Sequence, residues 1–432
     1  MRKRQTYTIT DPSLIKEALL DWSGNYEKVV WLDDNGHCNA FHSYDGVLAV
    51  TRHTSKSMIV DSLGGLKSSM EEKQDWLFGY FSYDLKNELE GLHSQNYDGL
   101  EFGNVHFFQP EKIVLLNGKE LTFLYLEHCA EDIESDYGQL LSNRGMWQQE
   151  RIPSTPIRIK MRIHKDAYFE KANRFLEHIH RGDIYEANFC QEFYAEDSTV
   201  DPLGTYKRLN AISQPPFACF MRWDERYLLC ASPERYLKKV GQTVISQPIK
   251  GTAPRSQNKA EDERLKQQLS QDEKERAENI MITDLVRNDL SKSALKGTVV
   301  VQELCKVYPY KQVHQMISTV IATVPKDKNP VELIEETFPM GSMTGAPKIS
   351  AMKIIEELEE TKRGLYSGAV GYFDPNGDFD FNVVIRSILY NAANKYVSYS
   401  VGSAITAKSN PEKEYQECLL KAKAMRSVLE TD

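Results

Sequence analysis

The sequence predicts an α+β fold built around a large antiparallel sheet, and three observations predict it. Strand-like runs crowd together at residues 227–231, 243–249, 368–373, 383–390 and 396–401. The stretch "DPNGD", Asp374 to Asp378, separates two of them and reads as a hairpin turn, and short turns between strands impose antiparallel pairing. Runs with helical periodicity lie at 261–286, 347–360 and 411–429.

Taken in chain order, residues 1–130 are strand-rich and contain "WLFGYFSYDL" from Trp76. Residues 130–155 are polar and irregular and end in two prolines, which suggests a division into an N-terminal region, 1–150, packing on a larger part, 151–432. The larger part opens with an amphipathic helix. Tyr168, Ala172, Phe175, Leu176 and Ile179 share one face, and Gly182 closes it.

Composition narrows the function. With 432 residues the chain is long enough for a sizeable core. Its net charge of −9 argues against nucleic acid or an anionic membrane as the main partner, since both attract basic fields. A local basic pocket for a small anion remains compatible with it. Seven cysteines are scattered without a C-x-x-C pair, as expected in a reducing compartment. Neither a signal peptide nor an apolar run of about 18 residues is evident. The cytoplasm is the expected location.

Several stretches hold chemistry-bearing residues. Glu275 and Glu278 are three apart in one helical run, and Glu414 and Glu417 repeat the spacing in another. Members of such a pair share a helix face. They are either a solvated acidic face or ligands for a hard cation such as Mg²⁺. "TDLVRNDL", from Thr283, is expected to cap and cross-link its helix. "GSMTGAPK", from Gly341, is a turn feeding a helix, with Thr344 or Gly345 as its cap and Pro347 in its first turn. It lacks Walker A spacing, and no G-x-G-x-x-G or G-x-S-x-G is present.

Arg386 stands in an apolar strand-like run. It meets either an internal acid or a ligand carboxylate. Lys421 follows Glu417 by one helical turn, as in an ordinary ion pair. His314 reads most simply as a satisfied core histidine. Lys250, in "SQPIKGTAPR", follows an apolar strand and precedes a glycine. It is either a surface lysine before a turn or a lysine aimed into a pocket.

Together these segments resemble the chorismate-utilising enzymes, whose members include component I of aminodeoxychorismate synthase and of anthranilate synthase, and the isochorismate and salicylate synthases. The matching blocks are "GDIYEANFCQ", "SPERYL", "QPIKGTAPR", "ERAENIMITDLVRNDL", "GSMTGAPKISAMKIIEELE", "YSGAVGYF", "VIRSI" and "NPEKEYQE", collinear from about residue 155 onward. The resemblance implies an α/β sandwich of the anthranilate synthase component I type, with a chorismate-binding catalytic domain in residues 151–432. It implies Mg²⁺ held by Glu278 and Glu417, with Glu275 and Glu414 close by. Arg386 and Tyr366 would grip the enolpyruvyl carboxylate, with Thr344, Gly402 and Lys421 lining the rest.

Within that family a lysine at the position of Lys250 resembles the aminodeoxychorismate branch, where anthranilate synthases usually carry alanine. The resemblance implies that Lys250 attacks ring carbon 2, that Glu234 protonates the leaving C4 hydroxyl, and that ammonia then expels the lysine. His314 matches a histidine near the ring. The product would feed 4-aminobenzoate and folate synthesis, and a separate glutamine amidotransferase subunit would supply the ammonia. The alternatives are an anthranilate synthase component I or an isochorismate synthase. For attack the lysine has to be neutral, and burial near a cation is expected to lower its pKa.

The chain departs from the family pattern in places. Glu186 stands where glutamine is common, Asn279 replaces a frequent histidine, and Ser403 and Ala404 interrupt a glycine-rich run. No tryptophan-binding motif is recognisable.

Overall fold

The computed structural model describes residues 2–37, 40–52, 58–142, 157–311 and 313–430. The division expected near residue 150 lies outside the described residues. Two antiparallel sheets stack face to face, with helices on the outer side of each.

The first sheet has twelve strands among the described residues. Eleven run in the order Arg2–Thr8, Glu120–Leu126, Lys112–Asn117, Gly46–Thr51, Lys28–Asp33, Phe217–Trp223, Arg226–Ser232, Ser387–Asn391, Tyr396–Thr406, Glu186–Ala195 and Gly345–Ala346, and Lys160–Met161 also pairs with Glu186–Ala195. The second has ten. Nine run in the order Ile249–Pro254, Val313–Thr323, Thr243–Gln247, Arg235–Val240, Phe379–Asn382, Ala369–Phe373, Leu77–Phe81, Val105–Phe108 and Ile59–Val60, and Val300–Pro309 also pairs with Val313–Thr323. Each sheet therefore draws strands from both sides of residue 150.

The first sheet is buried on both faces, which explains its nearly continuous apolar runs. Side chains alternate between two cores, as strand geometry requires. Val29, Trp31, Leu48 and Val50 face a helical layer and belong to one continuous core with Tyr168, Phe175, Tyr206 and Tyr415. Val30, Val47 and Ala49 face the second sheet and meet Phe78, Tyr80, Phe107 and Phe381. Ile282, Val286 and Leu290 of the helix Glu273–Ser291 close the far side of that sheet.

The expected helix Lys165–Arg181 forms with Tyr168, Ala172, Phe175 and Ile179 buried, and Gly182 caps it in the left-handed conformation. Asp374–Asp378 closes a hairpin between Ala369–Phe373 and Phe379–Asn382. The helix Pro411–Leu429 matches the expected run, and the Asn410 side chain accepts from the Lys413 N–H.

Three local expectations are corrected. The run 261–286 is two helices, Lys259–Gln271 and Glu273–Ser291, because Asp272 adopts an extended backbone and caps the second by accepting from the Glu275 N–H. Neither Thr344 nor Gly345 caps the helix Lys348–Leu358. Pro347 occupies that position, while Gly345 pairs with Ala187 in the first sheet. The run 383–390 is not one strand. Phe379–Asn382 belongs to the second sheet and Ser387–Asn391 to the first, so residues 383–386 cross between them. Val383 and Val384 are buried at the crossing, which keeps the sequence apolar where the strand is interrupted.

Candidate active site

A second crossing lies beside the first. Arg226–Ser232 is in the first sheet and Arg235–Val240 in the second, so Pro233 and Glu234 also pass between sheets. The Val383 N–H donates to the Glu234 carbonyl, and the Ala231 N–H to the Arg386 carbonyl. Glu234 and Arg386 thus sit where the two sheets part, a place ordinary strand pairing leaves open. Arg386 has φ +53°, a left-handed backbone unusual for a non-glycine residue and frequent at functional sites.

The Arg386 side chain makes no hydrogen bond or ion pair among the described residues. It lines a cavity of about 320 Å³ together with Pro233, Gln315, Lys421 and Lys423. That size suits a small cyclic ligand. Of the two readings of Arg386, the structure gives no direct acid partner, so its fork is open to a ligand carboxylate. Burial pushes its pKa down, and the neighbouring Tyr366 and Glu417 push back. Tyr366 itself is buried, and its hydroxyl accepts from the Cys190 thiol.

Lys250 is aimed inward. Pro248 separates Thr243–Gln247 from Ile249–Pro254, and the pairing with Val313–Thr323 shifts register between Ile249 and Thr252. Gly251, at φ +97°, makes the irregular turn, and a Cβ there would lie 3.2 Å from Glu275 Oε2. The residue the glycine admits is therefore an acid of the neighbouring helix. Lys250 Nζ lies 3.1 Å from Glu186 Oε1, with the lysine side chain 13% exposed and the glutamate 1%. Asn279 ties the strand to the helix by donating to the Lys250 and Met316 carbonyls.

The pKa of Lys250 is set by burial acting against the acids around it. Burial does lower it, but Glu186, Glu278 and Glu234 together raise it well above the usual value. Glu234 moves the way an acid catalyst needs. Burial pushes its carboxyl up to about 7, against Ser342 and Lys250, which lower it.

His314 is 1% exposed and stands on the strand beside Lys250, opposite Ala253. Its Nε2 lies 3.0 Å from Asp262 Oδ1, while its Nδ1 has no partner. The Thr344 hydroxyl is turned to the Met340 and Gly341 carbonyls. Gly402 faces Cys190, and a Cβ there would sit 2.6 Å from the Cys190 sulfur. Lys421 forms the expected pair with Glu417 at 2.6 Å and also donates to the Gly402 carbonyl at 2.9 Å.

Both glutamate pairs face one another. Lys274 Nζ stands between them, 3.0 Å from Glu414 Oε1 and 3.7 Å from Glu278 Oε1. Ser403 donates its hydroxyl to the other Glu414 oxygen. Burial raises the Glu278 carboxyl to about 7, and its Oε1 has no hydrogen-bond partner. Burial and the charge of Glu417 raise Glu275. Glu417 is also pushed up by burial, but Lys421 outweighs that and holds it below the usual range. These under-neutralised carboxylate oxygens fit a hard divalent cation such as Mg²⁺. Their ligand atoms do not converge as tightly as those of Asp34, His42 and Asp45, the only such group within 4.8 Å among the described residues. In that group His42 already lies 3.3 Å from Asp34 and 2.9 Å from Asp45.

Sequence reasoning missed Lys274, although its place between two glutamates and one turn before Glu278 marks it. It recorded Glu186 only as a departure. "TDLVRNDL" has the structural role expected of it: Arg287 pairs with Asp284, and Lys292 and Lys348 pair with Asp289.

Residues 27–427 match the family described as chorismate binding enzyme. An anthranilate synthase component I-like protein of Synechocystis is 36% identical over 82% of this chain and 72% of its own. Aminodeoxychorismate synthase component 1 of Escherichia coli is 33% identical over 83% of this chain and 77% of its own. The crystal structure of anthranilate synthase component I from Streptococcus pneumoniae superposes with a TM-score of 0.74 at 23% identity, covering 98% of this chain and 92% of the other.

Proposed function

The chain belongs to the chorismate-binding enzyme family and is a chorismate-converting enzyme; from that premise we propose that it joins ammonia to ring carbon 4 of chorismate, releasing water and 4-amino-4-deoxychorismate. The observation that carries the reading is Lys250. It is enclosed, held against Glu186 and coupled electrostatically to Glu234, whose carboxyl is raised to about 7. An enclosed lysine beside a protonated acid suits nucleophilic attack with departure of a hydroxyl.

In this reading Arg386 and Tyr366 receive the enolpyruvyl carboxylate, and Lys421 and Gly402 form the adjoining wall. The Lys250 amine attacks carbon 2 while Glu234 gives its proton to the oxygen leaving carbon 4. Ammonia then bonds to carbon 4 and the lysine departs. His314 offers a free ring nitrogen beside the site. Glu278 and Glu417, supported by Glu275 and Glu414, would hold Mg²⁺, which would neutralise the ring carboxylate of the substrate. A glutaminase subunit is the proposed source of ammonia.

The purified chain, given chorismate, Mg²⁺ and ammonium at mildly alkaline pH, should form a 4-amino product that retains its enolpyruvyl group, seen by chromatography and mass. Anthranilate would instead support the reading suggested by the Synechocystis relative's name, and isochorismate would make water the nucleophile.

A further inference from the structure

An ammonium has no lone pair with which to attack. A lysine side chain is ordinarily an ammonium near neutral pH, and Lys250 Nζ lies 3.1 Å from Glu186 Oε1. The proton has to leave inside a closed site. Three carboxylates act on the amine, from three elements: Glu186, in contact with it, at the start of the strand Glu186–Ala195, and, through their charge, Glu234 at the sheet crossing and Glu278 on the helix Glu273–Ser291. Glu234 has to hold a proton of its own to release the hydroxyl. Glu278 is shared with Lys274 and the acidic cluster. Glu186 remains. Its Oε1 is in contact with Nζ, and its Oε2 is buried without a partner.

We propose that Glu186 is the base that takes the proton from Lys250 and later returns it. This inference rests on the reading of Lys250 as nucleophile. In the transfer the Nζ–H bond breaks and an O–H bond forms on Glu186. Two buried charges become two neutral groups, so the net charge of the site does not change. The Nζ lone pair then bonds to carbon 2, both ring double bonds shift by one position, the C4–O bond breaks, and Glu234 protonates the oxygen so that it leaves as water. Ammonia bonds to carbon 4, both double bonds shift back, and the C2–Nζ bond breaks with its electron pair on nitrogen. The amine recovers its proton from Glu186, and Glu234 recovers one from the new C4 ammonium. A glutamine at this position could accept a hydrogen bond from Lys250 but not its proton.

The test compares Glu186→Gln and Glu186→Asp with the wild type between about pH 6 and 9, at fixed free ammonia, reading formation of the 4-amino product. General-base loss costs roughly 10²–10⁴-fold. Glu186→Gln should fall at least ~10-fold near pH 7, and its rate relative to wild type should climb with pH as solvent removes the proton instead. Glu186→Asp should keep the wild-type profile at reduced rate. A Gln variant within about twofold of wild type at every pH overturns the proposal. So does a Gln variant depressed equally at all pH values, which marks a merely structural role. A wild type that makes a different product fails the reading of function, and that failure is seen before any variant is compared.

Discussion

The Val383 N–H donates to the Glu234 carbonyl at 3.0 Å, so the segments carrying Glu234 and Arg386 change sheets side by side. The strand pairing of each sheet ends at the crossing, and individual bonds such as Ala231 N–H to the Arg386 carbonyl replace it. The crossing holds a buried acid whose pKa is raised, and beside it an arginine without a direct partner lines the cavity.

In the proposed reading Arg386 serves ligand capture rather than folding, since its side chain has no hydrogen bond or ion pair among the described residues. Arg386→Lys keeps the charge but loses the planar fork. Hydrogen bonds to charged groups are worth roughly 1.5–3 kcal/mol, so KM for chorismate should rise about 10–150-fold in steady-state assays. The melting temperature should stay near wild type, since no ion pair is lost.

Glu234 is an acid whose burial works against stability. With its folded pKa raised to about 7 from 4.5, the folded state binds the proton more tightly than the unfolded chain. That advantage is full below about pH 4.5 and is lost as the pH rises to about 7. Above pH 7 Glu234→Gln should therefore be more stable than wild type, by up to roughly 3 kcal/mol, while kcat falls about 10²–10⁴-fold. Thermal melts at pH 8 and turnover assays read the two effects together. In the wild type, turnover at fixed free ammonia should decline as the pH rises through about 7, as the acid loses its proton.

Lys274 lies between Glu414 and Glu278, so in the proposed reading Mg²⁺ has to displace it. Lys274→Met should tighten Mg²⁺ several-fold in calorimetric titration. It should also lower the melting temperature without Mg²⁺ and enlarge the stabilisation on adding it. Unchanged affinity would mean the lysine does not compete.

Gly402 has no room for a side chain, since a Cβ would lie 2.6 Å from Cys190 Sγ and 2.9 Å from Asn188 Nδ2. Gly402→Ala should cost about 1–3 kcal/mol, read by denaturant unfolding, and should disturb the carbonyl that Lys421 holds.

Much of this was legible in the sequence. Periodicity located the helices that carry the glutamate pairs, and the turn residues at Asp374–Asp378 located a hairpin. The crossing at 383–386 was hidden because Val383 and Val384 are as buried as any strand residue, and apolar pattern does not reveal a change of sheet. The charge state of Lys250 was hidden for a different reason. It depends on Glu186, which lies 64 residues away in the chain but 3.1 Å away in space. Lys274 went unread because its partner Glu414 sits on another helix.

The central claim is that Lys250 bonds to the substrate. The direct measurement is peptide mass mapping of the wild-type protein after incubation with chorismate and Mg²⁺ in the absence of ammonia. The account predicts that the peptide containing Lys250 gains the mass of one chorismate less one water, and that adding ammonium discharges it with formation of the 4-amino product. An unmodified Lys250 in protein that still turns chorismate into that product, together with full turnover in Lys250→Met, would contradict the account.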